Sequence, residues 1–130
     1  MTLEERLHAL ALVPEFRDLP PDARGTLAAA MRAENFRAGE TVTAVGEPAD
    51  RVFVLCAGSL DVIGVNRRLE PGTLLGEIAF FADELRTATV VAATDCALLS
   101  LPFANFRAFL LSYPEAALIL TGRIVRMLKA

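Results

Sequence analysis

Apolar residues change their spacing twice along this chain, and the changes mark three zones. In the first, Leu3, Leu7, Leu10 and Val13 recur every three or four positions, the period of one helix face. Thr2 and Glu5 fit a capping box, in which hydroxyl and carboxylate each take a backbone N–H of the first turn. Pro14 is expected to stop this helix, with Phe16 and Leu19 anchoring a short connector. Pro20-Pro21-Asp22 opens a second helix running to about Arg32, because a first turn has no N–H bond for proline to break. Gly25 weakens that helix a little. The N-terminal zone is thus helical over residues 2–32.

Residues 33–101 change character. β-rich runs are punctuated by turns at Gly39, Gly46, Gly58 and Gly72. Strands are predicted over Thr41–Val45, Arg51–Cys56, Leu60–Val65, Thr87–Ala92 and Cys96–Leu101. Strands at this spacing suggest a small antiparallel barrel or jelly roll. Leu75–Asp83 reads instead as one helical turn dropped between strands. From 102 to 130 the helical period returns. Pro102 suits a first helical position, Phe103, Phe106, Leu110 and Leu111 form an apolar stripe, and Pro114-Glu115 restarts the helix after Tyr113. Ala117, Leu120, Ile124 and Met127 then recur at heptad-like spacing.

Composition narrows the class. A chain of 130 residues and 14.0 kDa has room for one core, so residues 1–130 are read as a single domain. Hydrophobic residues make up 54% and mean hydropathy is +0.44, which excludes disorder as the dominant state. No run reaches the roughly 18 to 20 apolar residues of a spanning helix. Glu4, Glu5 and Arg6 argue against a secretory leader. A net charge of -3 and a pI near 5.1 argue against direct nucleic-acid binding, which needs clustered positive charge. One small phosphate needs only a single guanidinium and stays open. Cys56 and Cys96 sit in apolar runs with no metal or redox spacing, so buried reduced thiols and a cytoplasmic home are expected. No Ser-His-Asp set, metal cluster or catalytic acid pair stands out, and the lone His8 reads as a surface residue, so the chain is not read as an enzyme.

The chemistry concentrates in Leu74-Leu75-Gly76-Glu77-Ile78-Ala79-Phe80-Phe81-Ala82-Asp83-Glu84-Leu85-Arg86-Thr87-Ala88. A glycine directly before a helical turn lets backbone approach a ligand, and the N–H groups of residues 78 to 80 are expected to converge on one anion. Arg86, just beyond the turn, can complete that site with a bidentate contact. Thr87 adds a hydroxyl. A carboxylate at Glu77 would repel the anion unless it accepts hydrogen bonds from ligand hydroxyls, and a ribose 2'-OH is such a donor. Turn, guanidinium and acid together describe a ribose-phosphate site. Asp83 and Glu84 read as turn-surface acids, and Phe80 and Phe81 as core and hinge packing. Arg123, Arg126 and Lys129 read as a solvated basic strip.

This pattern resembles the cyclic nucleotide-binding domain family, which includes the bacterial catabolite activator, kinase regulatory subunits and cyclic-nucleotide-gated channels. The residues carrying the resemblance are Gly76-Glu77-Ile78-Ala79 and Arg86-Thr87-Ala88, with a nine-residue step from Glu77 to Arg86. Gly46-Glu47 before Asp50, then Phe53, Leu55 and Gly58, match as well, and the likeness covers about residues 9 to 126. The resemblance implies an α+β, mainly β fold: an eight-stranded antiparallel β-roll or jelly-roll barrel with N-terminal helices, a short cassette helix within 74–88 and C-terminal helices. It implies cAMP or cGMP as ligand, with no further cofactor and no metal. Glu77 would hold the ribose 2'-OH, Arg86 the phosphate, and the N–H groups of Ile78 and Ala79 would assist. Gly76 would allow the close approach, Thr87 would contact phosphate or purine, and Leu74, Leu75 and Val62 would line the base pocket. Thr121, Arg123 and Ile124 are the candidates for a lid from the last helix.

The chain departs from the pattern in three places. Ala49 stands where a glycine is frequent, the hairpin between Val65 and Pro71 is trimmed, and no helix-turn-helix follows the last helix. The resemblance implies a regulatory module that signals through its C-terminal helix to an effector domain or protein outside this sequence. The rival reading is a ligand-free interaction domain, the fold kept as scaffold and the last helix making a homodimer. The module could equally be the cytoplasmic part of a larger protein.

Overall fold

A computed structural model describes residues 1–82 and 85–129. Helix α1 (Leu3–Ala11) starts at the expected capping box, with Thr2 Oγ1 accepting from the Glu5 N–H and Glu5 Oε1 from the Thr2 N–H, both at 3.1 Å. The stretch read as a connector is itself a short helix, α2 (Pro14–Arg17), with Pro14 in its first turn rather than only ending α1. Its Phe16 is fully buried and Leu19 nearly so. Helix α3 spans Pro21–Ala30 and ends before Arg32, where the chain extends into a strand.

Eight strands are present among the described residues: β1 (Arg32–Phe36), β2 (Thr41–Thr43), β3 (Arg51–Ala57), β4 (Leu60–Val62), β5 (Arg67–Leu69), β6 (Leu74–Leu75), β7 (Val90–Ala92) and β8 (Cys96–Pro102). They form two antiparallel four-stranded sheets, ordered β1-β8-β3-β6 and β2-β7-β4-β5. The β-roll with flanking helices is therefore the observed architecture. Three strands, β1, β5 and β6, lie outside the sequence-predicted runs. Three predicted runs are cut short: 41–45 ends at Thr43, 60–65 ends at Val62, and 87–92 begins pairing only at Val90.

The first sheet is covered on both faces, which explains the continuous apolar runs of β3 and β8. Val52 and Val54 of β3, with Leu99 and Leu101 of β8, face the helices and pack on Leu10, Phe16, Leu27, Phe106 and Leu120. Phe53, Leu55, Leu98 and Cys96 face the second sheet and meet Leu60, Leu69 and Val90. Between β6 and β7 lies helix α4 (Glu77–Ala82), the expected cassette turn. Asp83 and Glu84 lie outside the described residues.

Helices α5 (Phe103–Ser112) and α6 (Pro114–Lys129) close the chain. Pro102 is the last strand residue and caps α5 rather than opening it. Of the expected α5 stripe, Phe106 and Leu110 are buried, whereas Leu111 is 71% exposed. Tyr113 ends α5, its N–H donating to the Phe109 carbonyl. Cys96 is buried and Cys56 half-buried, both as free thiols, and His8 is exposed. Among the described residues no single helix is long and apolar enough to cross a membrane.

Candidate functional site

Arg86 has no strand to hold it, yet its backbone is fixed on both sides. Its N–H donates to the Glu47 carbonyl at 2.9 Å, and its carbonyl accepts from the Gly46 N–H at 3.0 Å. The turn before β3 thus anchors the far end of the cassette. The side chain is 7% exposed. Its Nη2 donates to the Arg51 carbonyl at 2.9 Å and to Asp50 Oδ1 at 3.3 Å. Nη1 is buried with no partner among the described residues. Burial lowers the basicity of this guanidinium, and Asp50 offsets part of that. A buried donor without an acceptor costs about 1–3 kcal/mol.

Gly76 decides how close Nη1 can come. Its φ is +95°, and a Cβ there would sit 2.8 Å from Arg86 Nη1 and 3.0 Å from the Arg51 carbonyl oxygen. Only glycine accommodates both demands. The next residue, Glu77, opens α4. Its Oε2 is buried without a hydrogen-bond partner among the described residues. Burial, opposed by one backbone hydrogen bond and helped by the neighbouring Glu15 carboxylate, raises the carboxyl to about 7. Glu77 and Arg86 do not pair with each other: among the described residues the arginine's ionic partner is Asp50.

Both groups open on one cavity of 360 Å³. Gly76, Glu77, Ile78, Ala79, Arg86, Thr87, Leu74, Leu75 and Val62 all line it. Thr121, Arg123 and Ile124 do not border it; the residue α6 contributes is Met127. Arg123 instead reaches Asp18 of the N-terminal segment at 3.8 Å. The N–H of Phe80 is also not available to an anion, because it donates to the Gly76 carbonyl. Sequence reasoning missed Glu15, Thr43, Arg67 and Met127 on the cavity wall. They come from segments far apart in the chain and carry no local motif.

From the cavity, α4 connects to the C-terminal helices through aromatic rings. Phe80 stands edge-on to Phe103 at 5.2 Å and to Phe106 at 4.8 Å, both on α5, and to Phe81 at 5.1 Å. Such pairs stabilise beyond their buried area by about 0.5–1.5 kcal/mol each. Phe80 is half-buried and Phe81 is 39% exposed.

Comparison with known proteins agrees with this geometry. The protein-family model described as the cyclic nucleotide-binding domain matches residues 33–113. The chain belongs to the cyclic nucleotide-binding domain family. It is 41% identical over 109 residues to a cyclic nucleotide-gated potassium channel of Mesorhizobium japonicum, an overlap covering 83% of this chain and 31% of the channel. It is 35% identical over 88 residues to a cAMP-dependent protein kinase regulatory subunit of Aspergillus niger, covering 64% of this chain and 21% of the subunit. The chain therefore spans less than a third of the length of these curated relatives. In fold it is similar to the regulatory domain of Toxoplasma gondii PKA crystallised with cAMP, with a TM-score of 0.83 at 22% identity over 95% of this chain and 50% of that one. The N-terminal domain of a Streptomyces coelicolor transcriptional regulator is similar over 93% of this chain and 90% of its own, with a TM-score of 0.76 and 29% identity.

Proposed function

We propose that this chain binds a cyclic nucleotide, cAMP or cGMP, reversibly in the 360 Å³ cavity and passes its occupancy through α6 to an attached effector. The observation that carries this reading is a pair of buried atoms of opposite hydrogen-bonding sense, the Arg86 Nη1 donor and the Glu77 Oε2 acceptor, both without partners among the described residues and on residues lining one cavity. A cyclic ribose phosphate offers the complement of both: anionic phosphate oxygens for Nη1 and a 2'-OH for Oε2. Ile78, Ala79 and Thr87 border the phosphate end, while Val62, Leu74 and Leu75 give the base an apolar wall.

Transmission follows as a population shift. Ligand contacts on Gly76, Glu77 and Arg86 favour one placement of α4, Phe80 carries that placement to Phe103 and Phe106, and α5 packs on α6. Met127 lets the end of α6 sense the cavity directly. The shift is only as large as the difference in ligand affinity between the two placements. The role is regulatory binding rather than catalysis, on the cytoplasmic side of whatever assembly contains the domain.

A second reading has its own support. Leu118, Val125 and Leu128 of α6 are 75%, 48% and 70% exposed, an apolar face suited to a homodimer of a ligand-free scaffold domain. Titration calorimetry with cAMP and cGMP separates the two. The first reading expects micromolar or tighter binding of at least one nucleotide. Arg86→Gln should then weaken it by roughly 10- to 100-fold, the loss of one charge-assisted contact. Silence with both nucleotides leaves the scaffold reading.

A further inference from the structure

Arg86 ends a line of alternating charges that runs away from the cavity along the first sheet. Glu34 on β1 accepts two bonds from Arg51 on β3, from Nε at 2.9 Å and from Nη2 at 3.1 Å. Arg51 Nη1 donates to both oxygens of Asp50, at 2.9 and 3.0 Å. Asp50 Oδ1, already bound to Arg51, also accepts from Arg86 Nη2 at 3.3 Å. One carboxylate thus serves two guanidiniums, and the shorter bonds go to Arg51. Both cations lie by the fully buried Phe53 ring, Arg51 Cζ at 4.6 Å and Arg86 Cζ at 5.7 Å from its centroid. The Arg51 backbone carbonyl is a further acceptor for Arg86.

This arrangement makes Asp50 a competitor for the charge that a phosphate needs. An Asp50 drawn wholly onto Arg86 would neutralise it and hold its guanidinium away from the cavity. An Asp50 held chiefly by Arg51 leaves Arg86 with only a 3.3 Å contact to that carboxylate beside its 2.9 Å bond to a neutral carbonyl, with Nη1 bare among the described residues. We propose that Arg51 is a positioning residue of the phosphate site: anchored by Glu34, it holds Asp50 and so keeps Arg86 free for the ligand. The proposal rests on the nucleotide-binding reading for its benefit to affinity, but its mechanism operates in the free protein. Substitution of the Arg51 side chain leaves the backbone carbonyl in place, and with Arg51 30% and Asp50 66% exposed the variants retain the core.

Two readouts test it. In the free protein, NMR follows rotation about the Arg86 Nε–Cζ bond, which slows as Asp50 grips the guanidinium. Arg51→Gln should slow that rotation by about threefold or more, Glu34→Gln should slow it in the same direction but by less, and Asp50→Asn should abolish the effect of Arg51→Gln. In calorimetry with cAMP and cGMP, Arg51→Gln should weaken binding by roughly three- to tenfold in the native background and by less than about twofold beside Asp50→Asn. A general loss of positive charge predicts the same weakening in both backgrounds. An Arg86 rotation unaltered by Arg51→Gln, or a binding loss that persists with Asp50→Asn, overturns the proposal. Rotation that responds as expected in a protein that titrates neither nucleotide upholds the positioning role and overturns only the nucleotide-binding reading.

Discussion

Replacing Gly76 by alanine adds one methyl group to the point where the cassette touches Arg86. The new Cβ would lie 2.8 Å from Arg86 Nη1, 3.0 Å from the Arg51 carbonyl oxygen and 3.4 Å from Val52 Cα. The last two atoms belong to β3, where Arg51 and Val52 pair with Pro102 and Leu101 of β8, so they yield less readily than a side-chain tip. The guanidinium must therefore move, losing its 2.9 Å bond to the Arg51 carbonyl. A non-glycine residue at φ +95° costs about 1–3 kcal/mol, and crowding adds about 1–3 kcal/mol. Nucleotide affinity should fall by roughly 10- to 100-fold as Nη1 leaves its place. Gly39 supplies the control: its φ is +92° and a Cβ there meets nothing within 4 Å. Gly39→Ala should lose only the backbone share of the stability and none of the affinity. Urea unfolding and calorimetry on the two variants check both halves. If Gly76→Ala matches Gly39→Ala in stability and binds nucleotide like the native chain, the close packing of glycine on arginine is not what shapes the site.

Two further predictions follow from buried groups. Because burial raises Glu77 to about 7, the folded chain keeps a proton that the unfolded chain has released. Its stabilising contribution is fully present below about pH 4.5 and is lost as pH rises through 7, a change on the order of 3 kcal/mol. Urea unfolding at pH 5 and pH 8 should show a gap that Glu77→Gln narrows by about that amount; an equal gap in both proteins contradicts the burial of this carboxyl. Phe80→Ala removes the edge-on contacts to Phe103 and Phe106 and should cost about 2–4 kcal/mol of stability. A loss below about 1 kcal/mol would mean that the ring does not tie α4 to α5.

The elements visible in the sequence are those whose burial follows a simple period. α1 shows its capping box, and β3 and β8 show continuous apolar runs because helices cover one face and a sheet the other. β1 escaped notice because Arg-Ala-Glu-Asn-Phe is polar and mostly exposed; its pairing with β8, from Arg32 opposite Ser100 to Phe36 opposite Cys96, holds it as a strand. Tertiary pairing overrides weak local propensity there. β5 and β6 are too short, at three and two residues, to show a period. Gly64, at φ +89°, turns the chain and ends the run after Val62.

The site divides in the same way. Gly76, Glu77, Arg86 and Thr87 are legible because one short segment carries them, and their shared cavity follows from the turn at α4. Asp50, Glu15 and Met127 are not legible, because the β3 pairing, α2 and the end of α6 bring them in from distant parts of the chain. The heptad-like spacing of Ala117, Leu120, Ile124 and Met127 marks a side of α6 that is buried at Leu120, half-buried at Ala117 and Ile124 and 48% exposed at Met127. It gives no hint that Met127 rather than Ile124 borders the cavity.

The central claim concerns two atoms, and a structure of this chain determined with a bound cyclic nucleotide tests it most directly. The account predicts phosphate oxygens within hydrogen-bonding distance of Arg86 Nη1 and the ribose 2'-OH on Glu77 Oε2. A nucleotide seated elsewhere, or one in the cavity that leaves both atoms without partners, would contradict it.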